Sequence, residues 1–361
     1  MASIENDEKT KVIMKRKEDG INICLKKSTQ ARSKTTLFED MDFLNNSLPE
    51  IDFEEIDTST TFLGHKFSAP LLVSSMTGGA ELAKKINRNI AEAVQEAGIG
   101  MSVGSQRAGL FSESLSTTYS VVRDAAPDAF IGSNIGGAQL SLGMGTKEVK
   151  KLIEMIRADA LFVHLNPLQE LIQPEGNTWY KGVSARIKEL VEGLGTPVIA
   201  KEVGHGLSEE IASKLEDIGV SAVDIQGAGG TTWAGIESYR AEELGDETRH
   251  KVGNLLWDWG IPTAAALYRI RRKVKIPVIS SGGIRTGIDV AKSIAMGADM
   301  AAMAYPLLRP ATISSTEVKK RLDEVVFGLK AVMFITGSRN IKDLKKAKYV
   351  ITGKLKEWCE G

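Results

Sequence analysis

A chain of 361 residues with 42% hydrophobic and 25% charged residues has the make-up of a globular protein with a sizeable core, and its length suits a large α/β barrel carrying added segments. Its 46 Lys and Arg balance 46 Asp and Glu, so no global field favours nucleic acid or an anionic membrane surface. No apolar run reaches the ~20 residues of a membrane helix, the charged N-terminus lacks a signal-peptide core, and Cys24 and Cys359 stand too far apart in sequence for a metal-type cluster, so a cytoplasmic protein without a disulfide is expected.

Residues 1–50 are rich in charge and poor in periodicity. The run from Lys11 through Lys15-Arg16-Lys17 to Glu18-Asp19-Gly20 reads on composition as a solvated tail. From Ile56 to Phe67 the pattern is a hairpin with Gly64 in its turn, placed to cover the floor of a barrel. Apolar strand candidates then recur at 70–76, 98–103, 129–134, 160–166, 197–202, 222–226, 277–280 and 300–304. Several lack strict alternation, as expected where a parallel sheet is buried on both faces. Between them lie helical faces: Leu82, Ile86, Ile90 and Val94; Val149, Leu152, Ile153 and Ile156; Ile187 and Val191. Ser208 caps a helix through Ile211, Leu215 and Ile218, and Gly98, Gly219 and Gly297 end helices ahead of strands.

Eight strand–helix alternations predict an α/β fold of the (β/α)8 TIM-barrel class. The doubly wound alternative lacks its fingerprint, because Gly143-Met144-Gly145-Thr146-Lys147-Glu148 has glutamate where the third glycine belongs. The stretch from Thr231 to Thr263 is too long for one loop and helix, and predicts an insertion over the barrel mouth with Trp233, Trp257 and Trp259 as its small core. Past Ala304 the chain reads as helical, with Val318, Leu322, Val325, Val326 and Leu329 on one face. The expected division is an N-terminal extension and hairpin over 1–68, a catalytic barrel over 69–310, and a C-terminal helical segment over 311–361.

Barrel active sites form at the carboxyl ends of the strands, and here those ends are polar while the strand bodies are apolar. The fourth strand ends in His164-Leu165-Asn166-Pro167-Leu168-Gln169-Glu170. Read as strand, it sets His164 and Asn166 on one face. After the seventh strand, Gly282-Gly283-Ile284-Arg285 opens a helix, which is the composition of a phosphate cradle. Gly227, Gly229, Gly230 and Thr231 offer a second close backbone approach. Ser75, Met76, Thr77, Ser105, Asn134 and Lys201 suit one side of a flat heteroaromatic ring, with the lysine stabilising negative charge on it. Together these positions point to flavin mononucleotide (FMN). Glu170, a single carboxylate, suits Mg²⁺ shared with substrate phosphates. Arg107, Arg16 and Lys17 offer cations for a polyphosphate.

Arg16-Lys17, Met76 to Gly79, Gly104 to Arg107, His164 to Glu170, Gly229 to Thr231, Asp258 to Gly260 and Gly282 to Arg285, in that order, closely resemble type 2 isopentenyl-diphosphate delta-isomerase. The resemblance runs from about residue 15 to Leu355-Lys356-Glu357-Trp358. It implies an FMN-dependent barrel enzyme of isoprenoid biosynthesis that interconverts isopentenyl and dimethylallyl diphosphate, assembled as a homotetramer or homo-octamer. By that resemblance FMN meets Ser75, Met76, Thr77, Ser105, Asn134, Lys201, Thr231, Gly282, Gly283, Arg285, Ala304 and Tyr305. Substrate diphosphate meets Arg16, Lys17, Arg107 and His164, Asn166 and Gln169 lie near the allyl group, and Glu170 carries Mg²⁺. Gln169, Lys201 and Glu237 are the catalytic candidates, Glu237 as a proton relay. NADPH is implied only as the reductant of the flavin, whose reduced ring serves as the acid–base group for a 1,3-allylic proton shift. The sequence departs from the family at Gly20, where a histidine is usual. The rival is an FMN-dependent 2-hydroxy-acid oxidase, which requires a histidine base and an arginine after the sixth strand. Gly227 to Thr231 contains neither.

Overall fold

The computed structural model describes residues 2–361, with side-chain surroundings from Met14 onward, so the Lys11 side chain lies outside the described residues. Eight parallel strands close into a barrel: β1 (Leu71–Val73), β2 (Gly100–Ser102), β3 (Ile131–Gly136), β4 (Ala160–His164), β5 (Val198–Lys201), β6 (Ala222–Asp224), β7 (Val278–Ser281) and β8 (Met300–Met303). Each lies inside or beside its expected stretch. Their residues are buried apart from His164, which explains the continuous apolar runs: helices cover the outer face and side chains fill the inner one. The best-matched pair is β3 with β4, in register from Gly132 opposite Ala160 to Gly136 opposite His164. Gly132 is required there, because a Cβ would stand 2.4 Å from the Phe162 ring.

The floor hairpin pairs Thr60–Phe62 with His65–Phe67. Leu63 and Gly64 both have positive φ, 45° and 83°, the backbone that a two-residue turn needs to match strand twist. Phe62 and Phe67 then pack their rings 6.2 and 5.7 Å from Phe130, which leads into β3. Gly98, Gly219 and Gly297 adopt positive φ at helix ends as expected. Ser208 caps its helix by accepting from the Ile211 N–H at 3.3 Å. Ile211 itself is exposed, and the helix buries Ala212 and Leu215 instead.

Three expectations are corrected. The charged N-terminus is a helix, Ala2–Lys26, with Ile21 and Ile23 buried, and not a solvated tail. Its neighbour is the insertion after β6, which forms two helices, Trp233–Glu243 and Glu247–Leu255. Apolar anchors spaced too sparsely to show a period still suffice once a partner surface exists. Trp257 is buried in that insertion, edge-on to Tyr239 at 5.4 Å, but Trp259 is 63% exposed and is no part of a core. Finally, β4 stops at His164. Asn166 sits in the following turn as N-cap of the helix Pro167–Ile172, so strand alternation is not what brings it beside His164.

After β8 the helix Ser315–Thr336 buries Val318, Leu322, Val325 and Leu329, with Val326 partly buried against the core. A short strand, Tyr349–Ile351, pairs antiparallel with Met41–Phe43 and ties the end of the chain to the N-terminal segment. No helix of the described residues is long and apolar enough to cross a membrane.

Candidate active site

Two cavities open at the carboxyl ends of the strands, and they share a wall. The larger is lined by Ser75, Met76, Thr77, Thr231, Gly282, Gly283, Arg285, Ala304 and Tyr305, with Ile21, Cys24, Trp233 and Ile236 closing it from above. The smaller, polar one is lined by Ser105, Arg107, Gln139, His164, Asn166, Glu170, Glu175 and Asn177. Arg16, Lys17, Gln169 and Gln173 border both.

The glycines of the larger cavity are sterically obligatory. Gly282 has φ 95°, and a Cβ on it would stand 2.1 Å from the Gly227 carbonyl oxygen. A Cβ on Gly230 would stand 2.5 Å from the Gly283 nitrogen. The loops after β6 and β7 therefore touch backbone to backbone, as a cradle for a phosphate requires. Thr286 begins the next helix, capping it by accepting from the Asp289 N–H at 3.3 Å. Deeper in, the Thr77 hydroxyl is buried without a hydrogen-bond partner, which suits a polar group arriving with a ligand.

One wall is a hydrogen-bonded relay across four strands. His164 Nδ1 lies 2.6 Å from Asn134 Oδ1, Asn134 Nδ2 donates to Ser75 Oγ at 2.6 Å, and Ser75 Oγ lies 2.7 Å from Ser102 Oγ. Burial, with the charges of Lys201 and Lys17, holds the His164 pKa well below its ordinary 6.5. The ring is neutral, and Nδ1 is the donor to the Asn134 carbonyl. Asn134 faces neither cavity directly and acts here through its partners. Ser105, expected against the flavin, borders the smaller cavity beside Arg107.

Lys201 is buried and donates to the Glu202 carbonyl at 2.6 Å. Burial lowers its pKa while Asp224 and Glu202 raise it, and it borders neither cavity. Glu202 turns away from the site: its Oε2 accepts from the backbone N–H groups of Val203, Gly204, His205 and Gly206 at 2.6–3.2 Å. This fixes the loop after β5.

Gln169 is the hinge between the cavities. Its Oε1 accepts from Asn166 Nδ2 at 3.0 Å and its Nε2 donates to Glu237 Oε1 at 3.2 Å. Arg240 Nη1 donates to Glu237 Oε2 at 2.7 Å and to Glu175 Oε2 at 3.1 Å, and its Nη2 donates to Glu175 Oε1 at 2.8 Å. Burial raises the Glu237 pKa against the lowering effects of Arg240, Gln169 and Arg16. In the smaller cavity Glu170 accepts from Asn166 Nδ2 at 3.2 Å and from the Asn177 N–H at 2.6 Å. Among the described residues no group of three or more His, Cys, Asp or Glu is gathered to hold a metal. Lys17, Arg16 and Arg107 line the same cavity as this carboxylate. Burial of the Lys17 ammonium, and the charges of Arg16 and Arg107, lower its pKa to about 7.

Comparison with known proteins decides the family. The family model for FMN-dependent dehydrogenases matches residues 11–118 and 166–351. A curated protein of Pyrococcus furiosus named isopentenyl-diphosphate delta-isomerase is 45% identical over 98% of this chain and 90% of its own length. One of Archaeoglobus fulgidus with the same name is 46% identical over 96% of this chain and 98% of its own. The chain belongs to the isopentenyl-diphosphate delta-isomerase family, within the FMN-dependent dehydrogenases. Solved structures extend the fold likeness: a lactate oxidase of Pediococcus acidilactici superposes with TM-score 0.62 at 17% identity, covering 95% of this chain and 94% of that one. A mandelate oxidase does so with TM-score 0.62 at 14% identity, covering 92% and 95%.

For this isomerase-family site, the residues present fit FMN. The larger cavity supplies a glycine cradle with Arg285 and Thr231, together with the unpartnered Thr77 hydroxyl and Ser75, which Asn134 holds from behind. Several polar residues escaped the sequence reading. Gln30 lies in a segment without periodicity. Glu175 and Arg240 are 65 residues apart in sequence. Gln226, the end of an expected strand, carried the one usable signal, because strand ends form barrel sites. It adopts φ 45° and donates to Ser74 Oγ at 3.0 Å and Asp224 Oδ2 at 3.2 Å.

Proposed function

We propose that this chain interconverts isopentenyl and dimethylallyl diphosphate, with FMN in the larger cavity and the diphosphate, with Mg²⁺, in the smaller. The observation that carries this is the shared wall. Gln169 contacts Glu237 on one side and Asn166 on the other, so a five-carbon chain whose diphosphate sits beside Arg107, His164 and Glu170 reaches the flavin cavity at that amide. Reduced FMN supplies, when bound, the acid–base group for the 1,3-allylic proton shift, and NADPH is its reductant without net redox in the reaction.

The protein's part is to bind, orient and keep protons in place. Arg16, Lys17 and Arg107 meet the diphosphate with charge-assisted hydrogen bonds. Glu170 offers Mg²⁺ one carboxylate, the rest of the shell coming from phosphate oxygens and water. His164, held neutral, is a poor acid for an alkene, itself a very weak base. Its ring borders the smaller cavity, with Nδ1 already engaged by Asn134. Glu237 Oε1, hydrogen-bonded to Gln169 Nε2, is the atom that takes or returns a proton, and burial, by raising its pKa, makes it a readier proton acceptor than an exposed carboxylate. Ile21, Cys24, Trp233 and Ile236 cover the larger cavity and exclude water. Lys201, opposite His164 in the β4–β5 register and bordering neither cavity itself, favours negative charge on the reduced ring through space.

Family likeness supports a cytoplasmic homotetramer or homo-octamer, which light scattering on the purified protein measures. The oxidase alternative is disfavoured by the loop from Gly227 to Thr232, which has neither histidine nor arginine. The decisive assay supplies purified protein with FMN, Mg²⁺ and NADPH. Isopentenyl diphosphate is converted to dimethylallyl diphosphate without stoichiometric NADPH consumption. A colourless protein that cannot take up FMN overturns the reading, and bleaching of the flavin by lactate or glycolate supports the oxidase.

A further inference from the structure

Gln30 lies in the strap that links the N-terminal helix to Phe38, and it spans both loops of the phosphate cradle. Its Nε2 donates to Thr231 Oγ1 at 3.0 Å, and its Oε1 accepts from Arg285 Nη2 at 2.5 Å. A guanidinium has no acceptor, so the arginine fixes which end of the amide is oxygen and which is nitrogen. It follows that the Thr231 oxygen is the acceptor for Gln30, and its own proton is left to be donated elsewhere. Arg285 keeps its remaining N–H groups. With one lone pair of the Thr231 oxygen already taken by Gln30, the pair has its hydroxyl proton and guanidinium N–H groups to offer, which is what an anion requires.

The strap is held firmly enough to impose this. Ala31 N–H donates to the Gly230 carbonyl at 2.8 Å and Thr232 N–H to the Thr29 carbonyl at 2.9 Å. Trp257 Nε1 donates to the Gln30 carbonyl at 2.9 Å. Asp258 accepts from the N–H groups of Arg32 and Ser33, both at 2.8 Å. A Cβ on Gly229 would come within 2.2 Å of the strap backbone at Thr35 and Thr36, so strap and cradle loop are in direct contact.

We propose that Gln30 is a positioning residue for the cofactor's phosphate, aiming the Thr231 hydroxyl proton and the Arg285 guanidinium at it as a pair of directed donors. This rests on the flavin reading of the site. The test compares FMN with riboflavin, which lacks the phosphate, by titrating the full-length protein and following flavin fluorescence. Wild-type protein binds FMN more tightly than riboflavin. Gln30→Ala weakens FMN at least tenfold and leaves riboflavin within twofold. Gln30→Glu weakens FMN further, because a carboxylate competes for the Thr231 proton and for Arg285, again sparing riboflavin. In a Thr231→Val background, Gln30→Ala costs less than it does alone. Equal loss of both flavins makes Gln30 a merely structural residue and overturns the proposal, as does unchanged FMN affinity in both variants. If wild-type protein binds neither flavin, the flavin reading itself fails, and this inference with it.

Discussion

Gln169 occupies the wall between two cavities, and its two amide ends face different chemistry: Asn166 Nδ2 on its oxygen, Glu237 Oε1 on its nitrogen. Gln169→Ala removes that bridge without touching the phosphate cradle. Turnover is expected to fall 100-fold or more, the scale of a lost acid–base partner, while FMN affinity stays within twofold; loss of the yellow colour would place Gln169 wrongly. Lys17 gives a pH dependence. With its pKa lowered to about 7, the free enzyme carries the ammonium below that value and loses it above. A bound diphosphate favours the charged form and pulls the pKa back up. Substrate affinity therefore weakens by about tenfold per pH unit above pH 7, and Lys17→Arg flattens the profile because a guanidinium stays charged; an unchanged slope in that variant would assign the titration to another group. Gln169 was legible because barrel sites gather at strand ends, and the carboxyl ends of eight strands can be read in order; Lys17, in a run whose composition reads as a solvated tail, was legible only as a spare cation and through the family resemblance. Gln30, Glu175 and Arg240 were not. No local pattern marks a residue whose partner lies 65 to 255 positions away.

At the scale of elements, the strands and their glycine-ended helices were legible because burial on both faces and helical period act locally. The failures share one cause. The helix Ala2–Lys26 and the turn after β4 take their conformation from surfaces made elsewhere. Asn166 reaches the smaller cavity as an N-cap ahead of Pro167, so its position depends on a helix start and not on a pleat. Two glycine substitutions separate the kinds of constraint involved. Gly230→Ala sets a Cβ 2.5 Å from the Gly283 nitrogen, forcing the two cradle loops apart, and FMN affinity should drop 100-fold or more. Gly64→Ala meets nothing within 4 Å but keeps φ at 83°. It should cost about 1 kcal/mol for a left-handed alanine, seen as a lowered urea midpoint with unchanged m, and leave flavin binding alone. If Gly64→Ala also lost flavin, the floor hairpin and the mouth would be coupled through the barrel, contrary to their placement at opposite ends.

For the whole molecule, the N-terminal segment is a second layer laid over the barrel mouth, anchored at three levels. Its helix brings Arg16 and Lys17 to the rim shared by both cavities. Its strap joins the phosphate cradle through Gln30, and Met41–Phe43 closes a ladder with Tyr349–Ile351. A net charge of zero leaves no long-range field to draw in a diphosphate, so local cations must supply the attraction. Arg107 comes from the barrel; the other two come from the added layer. Separating these roles is possible because each depends on different atoms. In the double variant Arg16→Ser/Lys17→Ser, two charge-assisted contacts are lost, each worth about 1.5–3 kcal/mol. KM for isopentenyl diphosphate should rise 100-fold or more. Ile21 and Ile23, which dock the helix, are untouched, so FMN affinity and the urea midpoint should hold. Should FMN affinity fall in step with KM, the helix would belong to the flavin's housing and not to the substrate's, and the division of the mouth into two cavities would have to be redrawn along the helix instead of along Gln169.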